Sequence, residues 1–259
     1  NALGQKTTRS YDARNNLLFE FLRLVEALKP RAIMMENVPG LVADVRYSIW
    51  CNALREFGYV VQGQVLNAAD FGVPQRRRRL ICLAGHFGLI DFPSRVGTRR
   101  TVKDAIGWLP GPRHSNDPLH KLREKRSERI LNLVRKIPRN GGSRLDLGQR
   151  SQLSCHQEFD GFKDVYGRMA WDHVAPTVTS GCVNPSKGRF LHPQSNRTIT
   201  LREAALLQSF PLRYFFSLRR GKFAVAEMIG NALPPLLIKR ISLKVRKHLW
   251  ERKLSNERR

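Results

Sequence analysis

The sequence predicts an α/β fold accompanied by a smaller, loop-rich region, and three observations carry that expectation. Helix-like and strand-like apolar patterns alternate along residues 12–84, as they do where strands of one sheet are joined by helical crossovers. Proline and glycine become frequent after Phe92, at Pro110, Gly111, Pro112, Pro118, Pro138, Gly141 and Gly142, which breaks regular patterning. Helical periodicity then resumes near Arg197.

Residues 12–29 place Leu18, Phe21, Leu22, Val25 and Leu28 on one helical face, with Asn15 or Asn16 as cap and Lys29-Pro30 as the stop. Arg31–Glu36 follows as a short apolar strand. Ser48–Phe57 is a second helix closed by Gly58, and Tyr59–Leu66 and Leu80–Ala84 read as strands. Within the loop-rich stretch only Ser127–Ile137 keeps helical spacing. Thr200-Leu-Arg-Glu203 is a capping box opening a helix that stops before Phe210-Pro211. Pro234-Pro235 begin a long helix through Leu237, Ile241, Val245 and Leu249, because proline fits a first turn whose N–H groups have no partner to lose.

Charge narrows the function. The 259 residues carry 46 Lys+Arg against 21 Asp+Glu, a net charge of +25, which favours a polyanionic partner such as nucleic acid. Two blocks hold most of the excess: Arg95–Arg150 has fifteen Lys/Arg against five Asp/Glu, and Arg213–Arg259 thirteen against three. No apolar run is long enough to span a membrane, and no secretory leader opens the chain. The four cysteines, Cys51, Cys82, Cys155 and Cys182, lack metal-ligand spacing and suit reduced thiols in a cytoplasmic protein, so no metal is expected.

Four positions invite a chemical reading. Glu36 ends the strand in I-M-M-E-N-V-P-G-L, and in parallel α/β sheets ligands bind beyond the carboxyl ends of strands. A salt-bridged or capping carboxylate is the alternative for an isolated glutamate. Gln75-Arg76-Arg77-Arg78-Arg79 precedes the last strand, and strand alternation would set Arg77 and Arg79 on one face, where paired guanidiniums suit a phosphate or a base edge. A solvated basic run is the competing reading. Asn231, in I-G-N-A-L-P-P, stands at the mouth of the last helix, as a ligand group or a simple cap.

E-N-V-P-G-L, P-Q-R-R-R-R, R-T-I-T-L-R-E-A-A-L-L-Q-S-F-P and I-G-N-A-L-P-P resemble, in order and spacing, the later motifs of the DNA cytosine-5 methyltransferases. Tyr166-Gly-Arg-Met, Pro176-Thr-Val-Thr179 and Gly188-Arg-Phe-Leu-His-Pro193 resemble the bacterial restriction–modification branch. The resemblance implies a Rossmann-like methyltransferase sheet within residues 1–92, a target-recognition domain over 93–208 and a segment, 209–259, returning to the catalytic domain. It implies double-stranded DNA as substrate and S-adenosylmethionine as methyl donor. Such enzymes extrude a cytosine, because its reacting atoms cannot be reached while stacked. Glu36 then matches the glutamate that binds and protonates the ring at N3, and Arg77 and Arg79 match the arginines that hold the base. Gln75 opens that motif as a substrate-binding candidate, and Asn231 matches the asparagine of the cofactor pocket.

The chain departs from the family in two essentials. The glycine-rich cofactor motif and the Pro-Cys-Gln segment carrying the nucleophilic thiolate are expected ahead of Asn1, and no cysteine here has Pro before it and Gln after it. The sheet is thus expected to be incomplete, and the chain to be inactive alone. It would be the C-terminal portion of a methyltransferase, one half of a split enzyme needing an N-terminal partner chain, or a DNA-binding remnant. Leu233 and Leu212 are smaller departures, the latter where an acidic residue is more usual.

Overall fold

A computed structural model describes residues 16–122, 124–148 and 164–257, which form two compact units. Of these described residues, the first unit contains those up to Asn67, Arg78–Ser94 and those from Lys239; the second contains Ala68–Arg77 and those between Arg95 and Ile238.

The first unit is built on helix α1 (Leu17–Leu28), strand β1 (Ala32–Asn37), helix α2 (Val45–Glu56), and strands β2 (Val60–Asn67) and β3 (Arg78–Gly85). Helix α1 buries Leu18 and Val25 and ends where Lys29 turns left-handed, at φ 44°, ahead of Pro30. Helix α2 starts earlier than its apolar pattern, because the Asp44 carboxylate accepts from Arg46 N–H and so sets the first turn. One core joins these helices to the sheet through Leu18, Val25, Trp50, Leu54, Ile33, Met35, Cys82 and Ala84. Gly63 of β2 leaves room for the Tyr47 ring: a Cβ there would lie 2.0 Å from the Tyr47 hydroxyl oxygen and the ring would have to move.

The strand order is β1-β3-β2, and β3 is antiparallel to both neighbours. Helix α2 therefore joins two strands of like direction that leave a gap for β3. The expectation of a parallel sheet around Glu36 is corrected: the strand beside β1 runs the other way. The reason is local, since β3 returns from a loop at the end of β2 and pairs back along it, Asn67 against Arg78. Glu36 still closes β1, and Val38 leads into a 3-10 turn over Pro39–Ala43.

The second unit holds short helices between irregular segments: α3 (Val102–Ile106), α4 (Pro118–Lys121), α5 (Glu128–Lys136), α6 (Leu201–Leu207) and α7 (Gly221–Asn231). Its main core gathers Ile106, Leu119, Met169, Val178, Phe190, Leu201, Leu207, Val225 and Ile229. The expected capping box at Thr200 forms, with Glu203 N–H donating to the Thr200 hydroxyl and Thr200 N–H donating to the Glu203 carboxylate. Helices α3, α4 and α7 were not expected. Thr101 and Asp104 carry the capping signature for α3, whereas α7 begins at a glycine and contains Gly230, both poor helix formers. The last helix, α8 (Pro235–Glu257), opens at Pro235 as expected. No helix among the described residues is long and apolar enough to cross a membrane.

Candidate active site

Antiparallel pairing brings an acid and a base together at one end of the sheet of the first unit. The end of β1 lies beside the start of β3, with Glu36 opposite Ile81. Arg79 is two residues before Ile81, so it shares Glu36's face as the diagonal neighbour, within reach of long side chains. Arg79 Nε lies 2.9 Å from Glu36 Oε1, and the side chains remain 20% and 33% exposed, so the pair is formed yet open to a ligand. The second face of the sheet carries Met35, Cys82 and Ala84 into the core with α1 and α2. Glu36 and Arg79 thus point away from that core.

Arg77 and Gln75 take another course, inside the second unit. Arg77 precedes β3 and is buried; its guanidinium donates to Val178 O at 3.1 Å and Gly230 O at 2.9 Å. Gln75 is also buried, accepting from Val178 N–H at 2.9 Å and donating to Gln208 Oε1 at 2.9 Å. Gln208 in turn donates to Ile229 O at 2.6 Å. This network binds together Gln75–Arg77, Val178, Gln208 and the Ile229–Gly230 backbone. Each buried amide there is spared the cost of an unmet hydrogen bond, about 1–3 kcal/mol. Gly230 is indispensable at this crossing, because a Cβ would lie 2.2 Å from the backbone of Thr179 and Ser180.

Asn231 is exposed, and it is the last residue of α7 rather than the mouth of α8. The expected placement fails because Ala232–Pro234 separate it from Pro235. The argument from a helix N-terminus therefore does not apply, although its side chain makes no hydrogen bond among the described residues and is available to a ligand.

The described thiols are not placed as nucleophiles beside Glu36. Cys51 and Cys82 are buried with Tyr47 in the core of the first unit, on the other face of the sheet. Cys182 is buried in the second unit, and burial pushes its thiol up to about 12. Cys155 lies outside the described residues.

Sequence reasoning missed a polar centre in the second unit. Glu203 is buried and takes two guanidinium hydrogen bonds from Arg197, both 2.7 Å. Burial acts to raise this carboxyl, but Arg197, His192 and Thr200 N–H together hold it below the ordinary value. His192 stands 3.8 Å away, its Nδ1 accepting from the backbone N–H groups of Gln194 and Ser195, so the ring proton sits on Nε2. Burial pushes His192 down to about 4. The unfolded ring takes a proton near the ordinary imidazole value of 6.5, which the folded ring refuses until about 4. The contribution of this ring to stability should therefore be constant above that upper value, fall by up to about 1.4 kcal/mol per pH unit between the two, and change no further below the lower. Thermal melts across this range should show the loss in the wild type, and His192→Asn, which keeps an acceptor for both N–H groups, should flatten it. Equal slopes would refute the assignment.

Comparison with known proteins gives a consistent picture. Residues 4–247 match the family of C-5 cytosine-specific DNA methylases. The type II methylase M.HgiDII of Herpetosiphon aurantiacus is 37% identical over 247 residues, covering 90% of this chain and 69% of its own length. The type II methyltransferase M1.BsuMI of Bacillus subtilis is 35% identical over 237 residues, covering 89% and 54%. The chain thus spans between about half and just over two thirds of these curated relatives. Among solved structures, a prophage-encoded protein described as a DNA modification methyltransferase (E. coli) aligns with TM-score 0.63 and 24% identity over 92% of this chain and 75% of its own. The Entamoeba histolytica methyltransferase EhMeth aligns with TM-score 0.60 and 14% identity over 92% and 70%. At these identities the structures speak to the fold alone.

Proposed function

Since the chain belongs to the C-5 cytosine-specific DNA methylase family, we propose that it carries the base-holding and DNA-recognising portion of an enzyme that methylates C5 of an extruded cytosine in duplex DNA. The Glu36–Arg79 pair is the observation that carries this reading. A carboxyl and a guanidinium 2.9 Å apart and still accessible offer one donor set to the polar edge of a pyrimidine. Glu36 holds a proton at ring N3, which makes C6 electrophilic; Arg79 fixes Glu36 and the base. Arg77 and Gln75 act as positioning residues, through Val178 and Gly230.

S-Adenosylmethionine supplies the methyl group when bound. Asn231, with an exposed and unengaged amide, fits one polar group of such a cofactor. The thiolate that adds to C6 would come from a Pro-Cys-Gln segment, which these 259 residues lack, and β1 would pair on its outer edge with the rest of a Rossmann-like sheet. The second unit, with most of the Arg95–Arg150 basic block, is the target-recognition part, and its grip on phosphates should weaken steeply with salt.

The test joins or mixes the chain with a segment supplying Pro-Cys-Gln and the glycine-rich motif, and measures transfer of labelled methyl to cytosine-containing duplex. Glu36→Gln should lower turnover about a hundredfold or more, and Arg79→Ala should lower it comparably. Near-normal turnover of Glu36→Gln would exclude the role. DNA binding without any transfer in the complemented wild type would instead favour a recognition remnant.

A further inference from the structure

Two pockets of the second unit share a wall, the segment from Trp108 to Leu122, and their linings differ in kind. One, of about 930 Å³, is lined by Trp108, Pro110, Leu212, Tyr214, Phe215 and Phe216 among others. The exposure there is unusual for large apolar side chains: 57% for Trp108, 47% for Tyr214 and 80% for Phe215. Packing of Phe210, Tyr214 and Phe216, with ring centroids 4.8–5.1 Å apart, fixes the floor of this aromatic pocket. Leu212, where an acidic residue was expected, adds apolar surface and no negative charge.

The other pocket, of about 820 Å³, is lined by Arg113, His114, Lys121 and Lys222 together with residues Ser195–Leu201. The acids of the two linings are already engaged. Asp117 pairs with Arg202, and Glu124 pairs with Arg126. Arg113, Lys121, Arg213, Arg219 and Lys222 have no carboxylate partner among the described residues. Unpaired cations beside free aromatic faces form a stacking platform next to a phosphate groove.

We propose that the Trp108–Leu122 segment and its two flanking pockets bind single-stranded nucleic acid, with unstacked bases on Trp108 and Phe215 and phosphates on Arg113, Lys121 and Arg213. A duplex cannot use the aromatic pocket, because its base faces are already occupied. An acidic protein segment would be drawn to the cation-lined pocket, but its carboxylates offer nothing flat and apolar to the exposed rings beside it, whereas a polynucleotide alternates flat apolar and anionic groups along its length. This site does not depend on Glu36 or Arg79, so failure of methyl transfer leaves it standing, and the converse holds.

The experiment is fluorescence anisotropy of the whole chain with a labelled oligothymidylate of about a dozen nucleotides, within the site size of known stacking grooves, set against a duplex of equal length. Trp108→Ala with Phe215→Ala should weaken single-strand binding about tenfold or more and leave duplex binding nearly unchanged. Arg113→Ala with Lys121→Ala should lower the salt slope of single-strand binding by about one or two. All four positions are exposed, so circular dichroism and melting should match the wild type. Unchanged single-strand affinity in the aromatic variant would overturn the proposal. So would displacement of the oligonucleotide by polyglutamate as readily as by unlabelled oligothymidylate, which would assign the surface to acidic protein segments.

Discussion

Replacing Arg168 by Met should destabilise the second unit by about 4 kcal/mol. The Arg168 guanidinium is fully buried and has no carboxylate among its hydrogen-bond partners. It donates to the carbonyls of Val134 (2.8 Å), Ile137 (3.1 Å), His192 (3.0 Å) and Ser195 (2.6 Å), and to Asn196 Oδ1 (2.6 Å). Val134 and Ile137 stand at the carboxyl end of α5, where the helix dipole favours a cation. Methionine fills most of the volume and satisfies none of these acceptors, each costing about 1–3 kcal/mol when buried unmet, less what relaxation and water recover. Lysine should rescue less than half, since a compact ammonium with three donors cannot span the fork of a guanidinium. Urea denaturation followed at the second unit measures this; a loss under about 1 kcal/mol would show that the carbonyls find other donors.

Glu203→Ala should cost a similar amount, about 3–5 kcal/mol, because it strands Arg197 beside a buried site and leaves Thr200 N–H without its acceptor. Glu203→Gln keeps the shape and one acceptor oxygen, so it should lose less. The effect carries a pH signature. The folded carboxyl is held below its ordinary value, so its contribution is complete above that value and disappears as pH falls through the folded one. The wild type should therefore lose stability in acid faster than Glu203→Gln, in melts taken below the ordinary carboxylate pKa. Parallel acid limbs for the two proteins would contradict the pairing as the source.

Both centres lie in quoted motifs, yet the partners that hold each of them most strongly were invisible in the sequence. Tyr166-Gly-Arg-Met displays an arginine between small and apolar residues, and nothing in that string says that five acceptors from residues 134–137 and 192–196 surround it. Glu203 was legible as half of a capping box with Thr200, because that bond spans three residues, whereas its stronger partner Arg197 was not foreseen. The same division separates the arginines of Q-R-R-R-R. Their spacing suggested a shared face for Arg77 and Arg79, but Arg77 is engaged by Val178 and Gly230, far along the chain, and Arg79 by Glu36.

What the amino-acid order determined by itself was governed by near neighbours. That includes the helices whose apolar stripes repeat every three or four residues, the cap at Thr200, the proline start of α8 and the ordered motifs that identify the family. Tertiary structure alone decided that β3 inserts antiparallel between β1 and β2, which is what sets Arg79 diagonally across from Glu36. It also decided which buried polar groups satisfy one another. Periodicity reports which face of an element is apolar, but strand order and long-range hydrogen bonds depend on which elements meet, and local pattern does not encode that choice.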